Sequence, residues 1–213
     1  MQTGPVLAAY LAAVGALAVL TLLPGPDFAV VLRSSFVSGV GGGVRTALGV
    51  VSGLAVWGLL TVAGLTALLT AAPVLYTVIR IAGAAYLVFL GLQLLWRSRP
   101  GRPVEPAVVR ENDPRGGAFV TGLTTNLLNP KIAVFYTALL PTLVPPGVDP
   151  VLWLPVLVAT HVALGIAWLS ACAALFGGVR SPFTRPVVRR WLERVCGVAL
   201  VGFGARVALD VGR

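Results

Sequence analysis

Charge is scarce in this sequence. Only 11% of its 213 residues are Asp, Glu, Lys or Arg, whereas soluble domains contain about 25%. Residues 1–32 contain one charge, Asp27, and residues 46–96 contain one, Arg80. A bilayer-spanning helix needs about 20 consecutive apolar residues, and both stretches exceed that length. With 57% apolar residues and a mean hydropathy of +0.93, the composition excludes an ordinary soluble domain and indicates an integral membrane protein in contact with lipid.

Residue types used in catalysis and metal binding are also rare. The two cysteines, Cys172 and Cys196, lie in apolar segments and are expected to be buried thiols. The single histidine, His161, cannot form a multi-histidine metal site. The sequence has no phosphate-binding loop ending in Gly-Lys-Ser/Thr. We therefore expect a protein that is not an enzyme and that binds no cofactor and no metal.

Glycine, proline and charge clusters divide the chain into six apolar segments. These segments are continuously apolar rather than alternating, which predicts α-helices and disfavours a β-barrel. The predicted fold is therefore a single all-α membrane domain over residues 1–213 with six transmembrane helices. A polar loop at 97–115 separates a first repeat at about 4–96 from a second at about 116–213. The six segments lie at about 5–36, 46–69, 74–96, 116–144, 151–176 and 191–211.

The formal net charge of +9 is concentrated between the apolar segments. Loops after the first, third and fifth segments hold 12 of the 16 basic residues, and the loops after the second and fourth hold none. The positive-inside rule places the first set in the cytoplasm and both chain termini on the opposite side. Because Arg206 lies within the sixth segment, failure of that segment to span would bring the C-terminus inside. This clustering is typical of contact with anionic lipid, so we expect no nucleic-acid partner.

The first and fourth segments are interrupted by proline, at residues 24–26 (Pro-Gly-Pro) and 129–130 (Asn-Pro). Residues 26–30 (PDFAV) match residues 130–134 (PKIAV) at an offset of 104 residues, which aligns the two breaks. With three helices in each half, the halves enter the membrane from opposite sides. Inverted repeats whose broken helices meet near the midplane are a recurrent plan of secondary transporters.

Each break carries a charge. Asp27 begins the half-helix after Pro26, where the positive end of the helix dipole favours a carboxylate, and Lys131 begins the one after Pro130, where the dipole opposes an ammonium. Placing either charge at mid-bilayer costs on the order of 2.5–3.5 kcal/mol. Two interpretations stay open: an Asp27–Lys131 ion pair that fastens the repeats, or a site for a zwitterion. In the second, Lys131 receives a carboxylate, while Asp27 and backbone carbonyls freed by proline, such as that of Asn126, receive an ammonium.

Other polar residues complete the candidate site. Asn126 and Asn129 flank the second break and are candidates either to line the site or to cap the half-helix. His161 is either a proton relay together with Asp27 or a hydrogen-bonded interior histidine. The candidate substrate-binding residues are Asp27, Lys131, Asn129, Asn126, Pro24, Gly25, Pro26 and Pro130.

Three sequence elements carry a family resemblance: LPGPDFAVVLRSS at 23–35, AGAAYLVFLG at 82–91 and Asn-Pro-Lys at 129–131. In these elements, in length and in its six-segment layout, the chain resembles the LysE/RhtB family of amino-acid exporters. The resemblance implies a secondary transporter that exports amino acids or related small zwitterionic metabolites across the bacterial inner membrane, driven by the proton gradient. At matching positions it implies functional roles for Pro24, Pro26, Asp27, Asn129, Pro130 and Lys131.

The resemblance leaves the ligand open. Trp57 stands where many relatives are expected to carry a smaller or polar residue, which bears on the substrate pocket. Export of another small metabolite or of a cation, and a noncatalytic membrane scaffold, are the alternative functions. A homodimer is compatible with the small, glycine-rich helices, although nothing in the sequence decides it.

Overall fold

The computed structural model describes residues 3–99, 117–176 and 186–211. Within these ranges all regular elements are helical, which confirms the all-α class for the described part of the chain. The basic loop predicted at 97–115 lies outside the described residues from position 100 onward. The α-helices are α1 (Thr3–Leu22), α2 (Pro26–Ala71), α3 (Pro73–Arg97), α4 (Ala118–Leu127), α5 (Pro130–Val134), α6 (Pro150–Phe176) and α7 (Pro186–Val211).

Four helical stretches are long and apolar enough to cross a bilayer. They have mean hydropathies of 1.9 to 2.1 and carry apolar side chains on their outer surfaces. Leu59 and Leu152, for example, are 70% and 72% exposed, as expected of side chains that face lipid. The chain is therefore a multi-pass membrane protein. The four stretches are Gly4–Leu22, Pro26–Gly64, Val74–Arg97 and Pro150–Leu175.

Two interruptions of helix lie close to prolines. α1 ends at Leu22 and α2 begins at Pro26, whose missing N–H costs nothing in a first turn. α4 likewise ends at Leu127 and α5 begins at Pro130. After α5 the chain continues as a π-helical turn and then a 3₁₀ turn, Phe135–Leu139 and Leu140–Leu143.

One carbonyl expected to be free is satisfied locally. Proline at position 130 was predicted to release the carbonyl of Asn126, yet that oxygen accepts a hydrogen bond from the backbone N–H of Asn129 at 3.0 Å. The chain tightens into a turn between α4 and α5, and this turn supplies the donor. The prediction of a free carbonyl at Asn126 is therefore wrong. The hydrogen-bonding groups that this break offers to the site belong to side chains.

Glycine allows close approach where the long helices cross. α2 packs along α4 and α6, and α3 packs along α7. A Cβ built on Gly91 of α3 would lie 2.7 Å from the carbonyl oxygen of Gly197 in α7, and one on Gly197 would lie 2.9 Å from that of Gly91. Small residues at such crossings let backbones meet without a hydrophobic driving force. α2 bends between its two halves at Gly39, where φ is 68°, a conformation that glycine adopts readily.

Candidate functional site

The carboxylate of Asp27 brings the two breaks together. Asp27 lies in the first turn of α2, and its Oδ2 accepts hydrogen bonds from Nδ2 of Asn126 at 3.1 Å and Nδ2 of Asn129 at 3.0 Å. Both asparagines are fully or almost fully buried. Hydrogen bonds to an ionised group are stronger than neutral ones, so these two amides fix the carboxylate between the halves of the chain.

Asn129 performs two tasks with the two ends of one amide. Its Oδ1 accepts the backbone N–H of Lys131 at 3.1 Å, which caps the N-terminus of α5. Its Nδ2 donates to Asp27. An amide has its acceptor on one side and its donors on the other, so capping α5 turns the NH₂ group toward the carboxylate. The capping role is therefore present, and the same amide also contacts the carboxylate of Asp27.

Lys131 reaches the opposite break. A Cβ built on Gly25 would lie 3.4 Å from the Lys131 Nζ, so the ammonium lies beside the Pro-Gly-Pro turn. Lys131 also interacts electrostatically with Asp27 and His161. The two charged residues therefore line the same cavity and lie within electrostatic range of each other.

A cavity of about 30 Å³ lies between these groups. Its polar walls are Thr21, Asp27, Asn126, Lys131 and His161. At about 10–15 Å³ per water, it has room for roughly two water molecules. The predicted residues Asn129, Pro24, Gly25, Pro26 and Pro130 do not form its wall, and instead shape the two turns around it. The apolar walls are Leu20, Leu23, Phe28, Val50, Leu54, Ile132, Gly165 and Leu169.

Two acceptors at this cavity have unused capacity. Among the described residues, Asp27 Oδ1 and Asn126 Oδ1 are buried and have no hydrogen-bond partner. Buried polar atoms are nearly always paired in native proteins, so each such exception calls for an explanation. Both residues line the same cavity as Lys131, and Asn126 Oδ1 lies against Gly53 of α2. The site thus combines free acceptors and a positive charge within one small space.

His161 and Tyr136 form a pair at the edge of the cavity. The phenol oxygen of Tyr136 and Nδ1 of His161 are hydrogen-bonded at 3.0 Å, and the rings stack with centroids 5.7 Å apart. Both side chains are buried. The sequence interpretation missed Tyr136, which the π-helical turn presents to α6. A phenol inside the apolar run after Lys131 was the signal available, because buried tyrosine hydroxyls usually find a partner.

Comparison with known proteins agrees with this picture. The described part of the chain is an all-helical membrane protein with charged residues at a central cavity. The LysE type translocator family matches residues 18–211, which is most of the chain, and the chain therefore belongs to that family.

Two kinds of individual protein are similar to this chain. An uncharacterised membrane protein, YrhP of Bacillus subtilis (strain 168), is 23% identical over 199 residues, which cover 91% of this chain and 95% of YrhP. The leucine efflux proteins of Salmonella choleraesuis (strain SC-B67) and Salmonella typhimurium (strain LT2) are each 37% identical over 121 residues, 56% of this chain. The chain thus spans about half the length of those two relatives, 55%. No solved structure matches the chain.

Proposed function

We propose that the protein exports a neutral, apolar amino acid such as leucine from the cytoplasm across the bacterial inner membrane, with the proton gradient as its energy source. The observation that carries the proposal is the arrangement around the central cavity. Asp27 and Asn126, whose Oδ1 atoms are unpaired, line one cavity together with Lys131. An α-amino acid carries the complementary pair of charges.

Each charge has a defined role. The substrate ammonium donates to Asp27 Oδ1 and Asn126 Oδ1, which fills both unpaired acceptors. The substrate carboxylate binds the ammonium of Lys131. In a low-dielectric interior an ionised group without a partner is costly, so a zwitterion that satisfies both charges at once is favoured over a simple cation or anion.

The side chain of the substrate is selected by the apolar wall. Leucine, valine and isoleucine residues dominate that wall, which suits an aliphatic side chain and penalises a charged one. The similarity to leucine efflux proteins supports the same class of substrate.

Transport requires the cavity to enlarge. A space for roughly two waters cannot hold an amino acid, so the present conformation is a closed one. We infer two inverted three-helix repeats, each with a proline-broken first helix, that separate around the fixed site and open it alternately to each side. In this arrangement Asp27 and the Tyr136–His161 pair carry the coupled proton, and both termini lie outside the cytoplasm.

The test is efflux from cells preloaded with a panel of labelled amino acids. Cells with the wild-type protein are expected to lose leucine and similar neutral amino acids faster than cells with Lys131→Ala, at least tenfold in initial rate, as expected from the loss of a charge-assisted contact. Arg97→Ala, at the exposed end of α3, is the matched control and should behave as wild type. Equal efflux by all three proteins, each verified in the membrane, would favour a different metabolite or a scaffold.

A further inference from the structure

A second, larger cavity lies further along the same helices. It has a volume of about 260 Å³ and is bounded by α2, α3 and the turns that follow α5. Leu54 of α2 lines the central cavity, and Trp57 and Thr61, one to two turns later, line the second. At 1.5 Å per residue, these two residues lie about 5 and 10 Å from Leu54 along α2. The positive-inside count places the second one on the extracytoplasmic side.

The Tyr136–His161 pair separates the two cavities. His161 lines the central cavity and is hydrogen-bonded through Nδ1 to the phenol of Tyr136. The backbone carbonyl of Tyr136 accepts a hydrogen bond from the hydroxyl of Thr61 at 3.3 Å, and Thr61 and Thr137 line the second cavity. Tyr136, held in a π-helical turn, therefore contacts one wall residue of each cavity, His161 and Thr61.

Two unpaired donors lie at or beside the second cavity, one in its wall and one next to a wall residue. Among the residues that the structure describes, Trp57 Nε1 and Arg80 Nε are buried and lack a hydrogen-bond partner. Trp57 is part of the wall. The guanidinium of Arg80 lies 5.7 Å from the ring centroid of Tyr76, which is also part of the wall. This pattern is the reverse of that in the central cavity, where the unpaired atoms are acceptors.

Donors of this kind require an anionic acceptor. An arginine within a membrane-spanning helix marks a functional site by default, and its planar guanidinium matches a carboxylate. An acyl chain from the bilayer carries no acceptor and would leave both donors unpaired. The rest of the wall is apolar, including Leu60 and Ile79, so the ligand combines a carboxylate with an aliphatic group.

We propose that this cavity is a second binding site for the carboxylate of an aliphatic amino acid, with Arg80 and Trp57 as its donors, through which the substrate leaves after it passes Tyr136. The assignment of the substrate rests on the proposed function, but binding at this site does not depend on transport. Because the unpaired groups at this site are donors, which suit a carboxylate, it binds an aliphatic carboxylate that lacks the amino group. The central site requires both charges.

The test is direct binding of labelled 4-methylpentanoate, which is leucine without its amino group, to the full-length protein in phosphatidylcholine nanodiscs. We expect saturable binding by the wild type, about tenfold or more weaker binding by Arg80→Gln, and a smaller loss with Trp57→Phe, which keeps the ring but removes the N–H. Lys131→Ala, which removes the carboxylate partner of the central site, should bind the probe like the wild type. Arg97→Gln, at the other end of α3, is the matched control.

Three results would overturn the proposal. The first is no saturable binding by the wild type. The second is loss of binding in Lys131→Ala but not in Arg80→Gln or Trp57→Phe, which would put the probe in the central site. The third is displacement of the probe when phosphatidylglycerol replaces part of the phosphatidylcholine, which would identify an anionic lipid headgroup as the occupant. None of these measurements depends on transport. Failure of the proposed export function and failure of the proposed second site can therefore be distinguished.

Discussion

The two asparagines at the second break allow a quantitative test of how the site is built. Asn126→Ala removes one hydrogen bond to the Asp27 carboxylate, and Asn129→Ala removes one such bond and the cap of α5. A hydrogen bond to a charged group contributes about 1.5–3 kcal/mol, although side-chain hydrogen bonds inside bilayers average only about 0.6 kcal/mol in double-mutant cycles. A lost N-cap costs about 1 kcal/mol.

These magnitudes predict an order of stability. Asn129→Ala should be more destabilising than Asn126→Ala by about 1 kcal/mol, because only Asn129 caps a helix. Asn129→Ser is the matched variant: its hydroxyl preserves a capping oxygen while the amide donor is lost, so it should cost about as much as Asn126→Ala. The measurement is the free energy of unfolding in mixed micelles. Far-ultraviolet circular dichroism follows unfolding as the fraction of denaturing detergent in the micelles increases.

Double-mutant cycles with Asp27→Ala isolate the carboxylate contacts. Each asparagine should couple to Asp27 by about 0.6 kcal/mol or more, and the capping contribution of Asn129 should persist when Asp27 is absent. Additive effects, within about 0.3–0.5 kcal/mol, for both pairs would refute the claim that the amides hold the carboxylate. Equal losses for Asn129→Ala and Asn129→Ser would refute the capping role.

Two further predictions concern the surroundings of the site. Gly53→Ala should slow leucine efflux severalfold, because its Cβ would lie 2.6 Å from Asn126 Oδ1 and must displace that amide. Gly202→Ala is the control, because a Cβ there meets no atom within 4 Å. Equal efflux rates for the two variants would contradict the prediction. Tyr136→Phe removes the hydrogen bond to His161 and should lower the free energy of unfolding by about 1 kcal/mol. The same micelle assay measures this change. Unchanged stability would mean that the pair contributes only through packing.

The sequence was informative where local chemistry dictates structure. Proline lacks an N–H, so helix boundaries at Pro26 and Pro130 could be predicted from the chain alone. Charges are costly in an apolar segment, so Asp27 and Lys131 could be identified as residues that need partners. Their matching positions in two similar segments further predicted that they would meet.

Other features depend on three-dimensional packing. Whether Asn129 would cap α5 or contact Asp27 depends on how closely the two breaks approach, and the sequence does not specify that distance. Tyr136 meets His161 because a π-helical turn alters the helical register after α5, and no local pattern announces this turn. The second cavity likewise arises where three separate elements diverge around Trp57.

The most direct test of the central claim is leucine exchange by the purified protein in proteoliposomes, comparing the wild type with Lys131→Ala, Asp27→Asn and Asp27→Glu. If Asp27 and Lys131 bind the two ends of a zwitterion, Lys131→Ala and Asp27→Asn should each lower the exchange rate at least tenfold. Asp27→Glu should retain more activity than Asp27→Asn because it keeps the negative charge. Exchange at the wild-type rate by both Lys131→Ala and Asp27→Asn would contradict the account.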